Sequence, residues 1–346
     1  MRKPHVRRVR TPPRKKIPRG VPGDFHRKLI ALLFLIVALA VPASAQTADG
    51  RPLQDVRLTH RVQDEAAPLV LFTRDISGEG LVKIYRALGR KPEGKVGIKL
   101  TFESPNGPYL QPEMLRELCR LVQGTFIDSN GFTPPRDTTE GHLRVAKRHG
   151  FMDVGPVDIL DAEGELDMPV RGGKHLKYHR TGSHFANYDS LISIVKFKPH
   201  HLRDYGGTIK NLTICLASIS GKAILHSAGR EERTYREGNL DDFLEAMADG
   251  TKAALDYKKD RWVFINVISA VAPDDGCKDA EPLPDIGIIA SLDPVAVDQA
   301  AVDFTFGLAP SEEARARWEQ LHHTRVLGYA EEIGAGKRNY RLLSID

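Results

Sequence analysis

The segment KPHHLRDYGGTIKN, residues 198–211, brings together side chains that bind anions, ligate metals and transfer protons. His200 can ligate a metal ion or move a proton, and Lys210 carries a mobile positive charge. Gly206 and Gly207 permit a close backbone approach or a positive φ, so backbone N–H groups in this turn can hold an anion beside Asn211. We interpret the segment as a functional loop in which His200 and Lys210 are the candidate catalytic residues and the other three bind ligand. The alternative is a polar turn without a function.

Other polar side chains follow directly after predicted strands. Glu103 closes one strand, Asp128 and Asn130 close the next, and Asp293 follows a later one. The carboxyl ends of parallel strands meet at one edge of a sheet, where α/β proteins bind their ligands. Glu103, Asp128 and Asp293 are therefore candidate oxygen ligands for a divalent metal ion, and Asn130 is a candidate ligand-binding residue.

Two of these positions also have a purely structural interpretation. Asp293 precedes Pro294, and an aspartate at the N-cap with a proline at the first helical position stabilises a helix start without any ligand. Asp128, Ser129 and Asn130 form a triplet that is ordinary in turns. Both alternatives remain open at the level of the sequence.

The elements that must position these residues alternate along the chain. The apolar patterns predict strands at 95–102, 125–130, 157–160, 174–180, 190–197, 261–271, 285–291 and 340–345, and helices at 112–122, 138–150, 241–259, 294–307 and about 311–333. Strands that alternate with helices favour an α/β fold with a largely parallel sheet and flanking helices. We expect an inserted antiparallel portion near 155–235, an irregular lead-in over 46–68 and a single domain over 69–346.

The first 45 residues have the composition of a secretory signal peptide. They hold eleven Lys and Arg against one acid, and a short apolar run over 29–41 is followed by Ala43-Ser44-Ala45. We expect cleavage after Ala45, a periplasmic or secreted protein, and no stable membrane anchor after cleavage. The remaining chain carries 39 Lys and Arg against 44 Asp and Glu, a balance that does not favour nucleic acid as a partner.

Cysteine usage limits the cofactors that the chain can hold. It has three cysteines, Cys119, Cys215 and Cys277, and no C-x-x-C motif. Three thiolates cannot supply the four ligands of an iron–sulfur cluster, so we expect no such cluster held by this chain alone.

Several segments together resemble the domain-of-unknown-function family 362. They are IKLTFE, FIDSN, VDILDAEGE, the run from FKPHH to NLTICLAS, DIGIIASLDPVAVDQAAVD and EEIGAGKRNY. The resemblance implies an α/β core and no established reaction. Many relatives carry an appended ferredoxin-like cysteine array that this chain lacks, and residues 274–277 read DDGC where others have DCDC. The iron–sulfur label that such relatives often bear therefore does not transfer.

Three functions are compatible with these patterns. The first is an exported enzyme or cofactor-handling protein with a divalent metal ion at the strand ends. The second is a binding protein for a small carboxylate or phosphate, held by the Gly206-Gly207 turn with Lys210 and Asn211. The third is an assembly factor for an exported redox protein. The first two share a small anionic ligand or substrate as the expected partner.

Overall fold

The structure, a computed structural model, describes residues 45–199, 205–230, 239–269, 285–307 and 325–346. The strands in these ranges are β1 (Leu69–Thr73), β2 (Val96–Lys99), β3 (Thr125–Asp128), β4 (Val157–Ile159), β5 (Glu165–Pro169), β6 (Tyr178–Gly182), β7 (Ser190–Lys196), β8 (Lys198–Pro199), β9 (Tyr205–Gly206), β10 (Trp262–Ile268), β11 (Gly287–Ser291) and β12 (Arg341–Ser344). The helices are α1 (Gly78–Ala87), α2 (Pro112–Val122), α3 (Thr139–Arg148), α4 (Thr208–Leu212), α5 (Ile219–His226), α6 (Leu240–Lys258), α7 (Pro294–Gly307) and α8 (Arg325–Glu332).

Eight of the strands form one sheet in the order β12-β1-β11-β10-β7-β2-β3-β4. Strands β4, β3, β2, β7 and β10 are parallel to one another, and β1 is parallel to β12. Strand β11 runs antiparallel to both of its neighbours, β1 and β10. The carboxyl end of β11 therefore lies at the edge of the sheet where the other strands begin.

Both faces of the sheet are buried under helices. In β10, Trp262 and Phe264 belong to the core on one face, and Val263 and Ile265 belong to the core on the other. Helices α4, α6, α7 and α8 contribute to the first core, and α1, α2 and α3 contribute to the second. This explains why the central strands read as continuous apolar runs, as expected for parallel strands covered on both sides.

The α/β fold predicted from the sequence is confirmed. Strands β5 and β6 form an antiparallel hairpin between β4 and β7, within the region predicted to be antiparallel. Helix α2 has the predicted bounds, and Pro112 occupies its first turn. The strand predicted at 174–180 is placed too early, because β6 begins at Tyr178. No helix in the described ranges has the length and apolar character needed to cross a membrane.

Candidate functional site

A cavity of about 630 Å³ opens at the carboxyl edge of the parallel strands. Its walls come from the segments after β2 and β3, the end of β7, and helices α4, α5 and α6. Six of the predicted site residues line it: Glu103, Asp128, Gly206, Gly207, Lys210 and Asn211. The Gly-Gly segment and two of the three predicted carboxylates thus lie together at the carboxyl edge of the parallel strands, where α/β proteins bind their ligands.

The lining of this cavity combines a basic part and an apolar part. Its bases are Arg136, Lys196, Lys198, Lys210 and Lys222, against the two acids Glu103 and Asp128. Apolar lining residues include Leu110, Phe132, Ile194, Ile214, Phe243 and Met247. A concave apolar pocket with a few converging charged groups is the usual form of a site for a small ligand. The excess of bases favours an anionic one.

The negative charge of Asp128 is balanced inside the protein. Lys99 Nζ lies 3.0 Å from Asp128 Oδ1, the Phe102 backbone N–H donates to Oδ2 at 3.0 Å, and His142 Nε2 lies 3.3 Å from Oδ2. Burial alone would raise the pKa of the Asp128 carboxyl, but the Lys99 ammonium and the contact with His142 outweigh burial and lower it. Asp128 is therefore an ionised group whose charge Lys99 already balances.

Asn211 belongs to the same buried network. Its amide oxygen accepts from Lys99 Nζ at 3.0 Å, and its amide nitrogen donates to the Lys99 carbonyl and to Ser193 Oγ at 3.0 and 2.9 Å. Both amide hydrogens are thus occupied within the fold. Although Asn211 lines the cavity, its side chain fixes α4 against β2 and β7, which corrects its predicted role as a ligand donor.

The backbone N–H groups after Gly207 do bind an anion, but the anion is part of the protein. Asp298 Oδ1 accepts from the Thr208 N–H at 2.7 Å, and Oδ2 accepts from the Ile209 N–H at 2.8 Å. Asn266 Nδ2 also donates to Asp298 Oδ1, at 2.8 Å. The expectation that these donors hold an external ligand is therefore wrong.

Close packing explains the glycine at position 207. A Cβ there would lie 2.7 Å from Asp298 Oδ1 and 2.6 Å from the Tyr205 ring. Of the two roles expected for the glycine pair, the structure thus has the close approach.

The predicted metal ligand Asp293 does not share the cavity. It follows β11, whose last residue Ser291 pairs with Val70 and Phe264 near the beginnings of their strands. Asp293 Oδ1 accepts from the Val295 and Ala296 N–H groups, each at 2.9 Å, as the N-cap of α7. The predicted trio of Glu103, Asp128 and Asp293 is therefore wrong, because it assumed that β11 is parallel to its neighbours.

The remaining predicted residues occupy different places. Asn130 does not line the cavity: its N–H donates to Asp161 Oδ1 at 2.9 Å, and its amide donates to Thr139 Oγ1 at 3.1 Å at the start of α3. Glu103 Oε1 lies 3.6 Å from Lys198 Nζ in an ion pair at the cavity wall. His200 lies outside the described residues.

Lys222 is a lining residue that the sequence did not reveal. It is 6% exposed, and Nζ donates to the Ala217 carbonyl. Burial lowers the pKa of its amine to about 8, against a partial opposing effect of Asp161 and Asp128. Within the described ranges no carboxylate lies within ion-pair distance of this amine, whereas Asp128 Oδ1 lies 3.0 Å from the amine of Lys99. A lysine inside the apolar run ISGKAILH was the available signal.

One cluster in the described ranges has the composition of a metal site, and none of its residues lines the cavity. Ligand atoms of His175, Asp242 and Glu245 all lie within 4.8 Å of one another. Lys174 and Arg325 also contact Glu245, and His175 Nε2 lies 2.6 Å from Glu245 Oε2. Although burial opposes it, these contacts lower the pKa of Glu245 to about 2. A metal ion here would have to displace two cationic side chains.

The thiols show no arrangement for a cluster in the described part of the chain. Cys119 and Cys215 are free, and Cys277 lies outside that part. Cys119 lies on the buried side of α2, and burial raises the pKa of its thiol. Cys215 lines the cavity.

Among the proteins of known structure that are similar to this chain are two α/β proteins. One is a Thermotoga maritima protein with a TM-score of 0.43 and 14% identity. The match covers 70% of this chain and 58% of that protein's chain. The other is the lactate racemase apoprotein from Thermoanaerobacterium thermosaccharolyticum, with a TM-score of 0.40 and 14% identity over 68% and 56%. The chain thus spans less than two thirds of the length of either protein. A comparison with curated proteins found no match. The family model of the domain of unknown function DUF362 matches residues 96–303, more than half of the chain, and the chain belongs to that family.

Proposed function

We propose that the cavity binds a small organic anion, with an apolar body against the Phe243 side and a carboxylate or phosphate among the bases. The observation that carries this proposal is the charge of the lining. Five bases line the cavity against two acids; Glu103 is paired with Lys198, one of the five, and Asp128 with Lys99, so the lining keeps an excess of positive charge. An anion that enters such a lining can form charge-assisted hydrogen bonds, which are roughly twice as strong as neutral ones.

The same charges disfavour a divalent cation at this place. A metal ion at Asp128 would compete with the Lys99 ammonium 3.0 Å from the carboxylate. It would also enter a lining with an excess of bases. Like charges at such separations in a partly buried site cost several kcal/mol, on the order of 4 kcal/mol for one pair at 4 Å. We therefore propose an anion, and not a metal ion, as the ligand of this cavity.

Calorimetry with matched probes tests the proposal. Pyridoxine 5′-phosphate carries an aromatic body and a phosphate, pyridoxine carries the body alone, and citrate carries carboxylates alone. We expect saturable binding of pyridoxine 5′-phosphate, weaker binding of citrate and none of pyridoxine at the same concentrations. Absence of binding by both anions would overturn the proposal, and so would equal binding of pyridoxine and its phosphate.

A second candidate ligand is a divalent metal ion at His175, Asp242 and Glu245, favoured by the spacing of their ligand atoms. Imidazole and carboxylate donors suit zinc. Titration of the protein with Zn²⁺ alone should then raise its Tm, and His175→Ala should remove that increase. The control is His60→Ala, since His60 contacts Asp303 elsewhere. An unchanged Tm would leave the cluster with a purely structural role.

We also propose that the protein acts outside the cytoplasm after removal of residues 1–45. The order of basic residues, apolar run and Ala43-Ser44-Ala45 supports this proposal. An extracytoplasmic binding protein or enzyme for an organic anion would combine both proposals.

A further inference from the structure

Lys222 differs from the other deeply buried lysine, Lys99, in what surrounds its amine. Lys99 Nζ donates to the Leu100 carbonyl, Asp128 Oδ1 and Asn211 Oδ1, at 2.7, 3.0 and 3.0 Å. All three ammonium hydrogens are therefore occupied, and one partner carries a full negative charge. The Lys222 amine donates to the Ala217 carbonyl, and Lys222 lies on the wall of the cavity.

A buried amine without a carboxylate partner is disposed to lose its proton. With a pKa of about 8, about a tenth of the Lys222 amines are neutral at pH 7, far more than for an exposed lysine. Only the neutral amine has the lone pair that attacks a carbonyl carbon, which is why desolvated lysines form Schiff bases. Asp161, Asp128, Cys215 and Lys99 are the titratable neighbours that act on this amine. The first three favour its charged form, and Lys99 opposes it.

We propose that Lys222 forms an imine with a small organic anion that carries an aldehyde or ketone. The Nζ lone pair forms a C–N bond to the carbonyl carbon, and the carbonyl oxygen departs as water together with the two amine hydrogens. No electrons are gained or lost, and no further reactant is needed. The anionic group of the ligand is held by the other bases of the lining, so this inference rests on the proposed function of the cavity.

Reductive trapping tests the inference on the intact protein. The protein is incubated with pyridoxal 5′-phosphate, the aldehyde counterpart of pyridoxine 5′-phosphate, or with pyruvate, and reduced with borohydride. Peptide mass spectrometry then compares Lys222 with the exposed Lys83 of the same chain. We expect the adduct on Lys222 to form about tenfold faster or more, because its neutral fraction is larger. Excess pyridoxine 5′-phosphate should suppress the adduct on Lys222 and leave that on Lys83 unchanged.

The variants Lys222→Met and Lys83→Met complete the test. The first should lose the fast adduct, and the second should keep it. Labelling of Lys222 no faster than that of Lys83 would overturn the inference. If pyridoxine 5′-phosphate still binds in that case, the anion site stands and only the covalent step is wrong. If pyridoxine 5′-phosphate and citrate both fail to bind, the site itself is wrong.

Discussion

Asp298 Oδ1 lies 2.7 Å from the backbone nitrogen of Thr208, so the carboxylate of α7 caps the helix that follows the Gly-Gly segment. The side chain of Asp298 is fully buried, and burial raises the pKa of its carboxyl to about 6, although its hydrogen bonds to backbone and Asn266 oppose the increase. The start of α4 is thus fixed by an internal anion. This arrangement holds Lys210 and Asn211 at the cavity wall.

The raised pKa of Asp298 predicts a pH dependence of stability. Between its ordinary pKa near 4 and its folded pKa of about 6, the unfolded chain loses the proton that the folded protein keeps. The free energy of unfolding therefore falls as pH rises through this window, by about 2–3 kcal/mol for a shift of this size. Urea denaturation at pH 4 and pH 7 should show this fall in the wild type relative to Asp298→Asn. The exposed Asp64→Asn serves as the control, and equal pH profiles for all three proteins would contradict the prediction.

The buried pair of Lys99 and Asp128 predicts a large effect of single substitutions. Lys99→Met leaves the Asp128 carboxylate buried without its counter-charge, and such changes cost about 3–5 kcal/mol. Lys99→Met with Asp128→Asn should recover a large part of this loss, because the amide oxygen can still accept from the Phe102 N–H. Chemical denaturation measures the free energy of unfolding of the single and the double variant. Lys83→Met should change stability by less than about 0.5 kcal/mol, and a similarly small loss for Lys99→Met would disprove the buried pair.

Lys210 predicts a separation of binding from stability. Lys210→Ala should change the free energy of unfolding by no more than about 0.5 kcal/mol, because the side chain is half-buried at the cavity wall and is not part of the apolar core. The same variant should weaken binding of pyridoxine 5′-phosphate about tenfold or more, since one charge-assisted bond is worth on the order of 1.5–3 kcal/mol. Calorimetry measures the binding and chemical denaturation measures the stability, both on the same preparation. Unchanged binding would remove Lys210 from the site.

The signal peptide predicts a mature N-terminus at Gln46. Protein isolated from its native host should begin at this residue, because the Ala43-Ser44-Ala45 sequence fits the cleavage site. Intact-mass spectrometry gives the answer directly. A protein that retains residues 29–41 would show that the segment is kept.

Local patterns predicted most elements but not the direction of β11. The proline at position 112 and the spacing of apolar residues defined α2, since both act within one helix. The direction of a strand depends on its neighbours in the sheet, which a run such as GIIAS does not encode. The position of Asp293 was therefore mispredicted, and its N-cap role was the correct alternative.

The candidate site was predictable only where it depends on the ends of parallel strands. The strand-edge rule placed Glu103 and Asp128 beside Lys210, because it depends only on strands that are parallel. The partners of Asp128 were missed, since Lys99 sits within the apolar run VGIKLTF and His142 lies on α3. A lysine in a buried strand requires a partner, and that requirement was the signal for the pair.

A crystal structure of the protein with pyridoxine 5′-phosphate tests the central claim most directly. We expect the phosphate among the bases of the cavity, within hydrogen-bond distance of Lys210 or Arg136, with the ring toward Phe243 or Met247. Phosphate density bound elsewhere on the surface, with this cavity filled by solvent alone at saturating ligand, would contradict it.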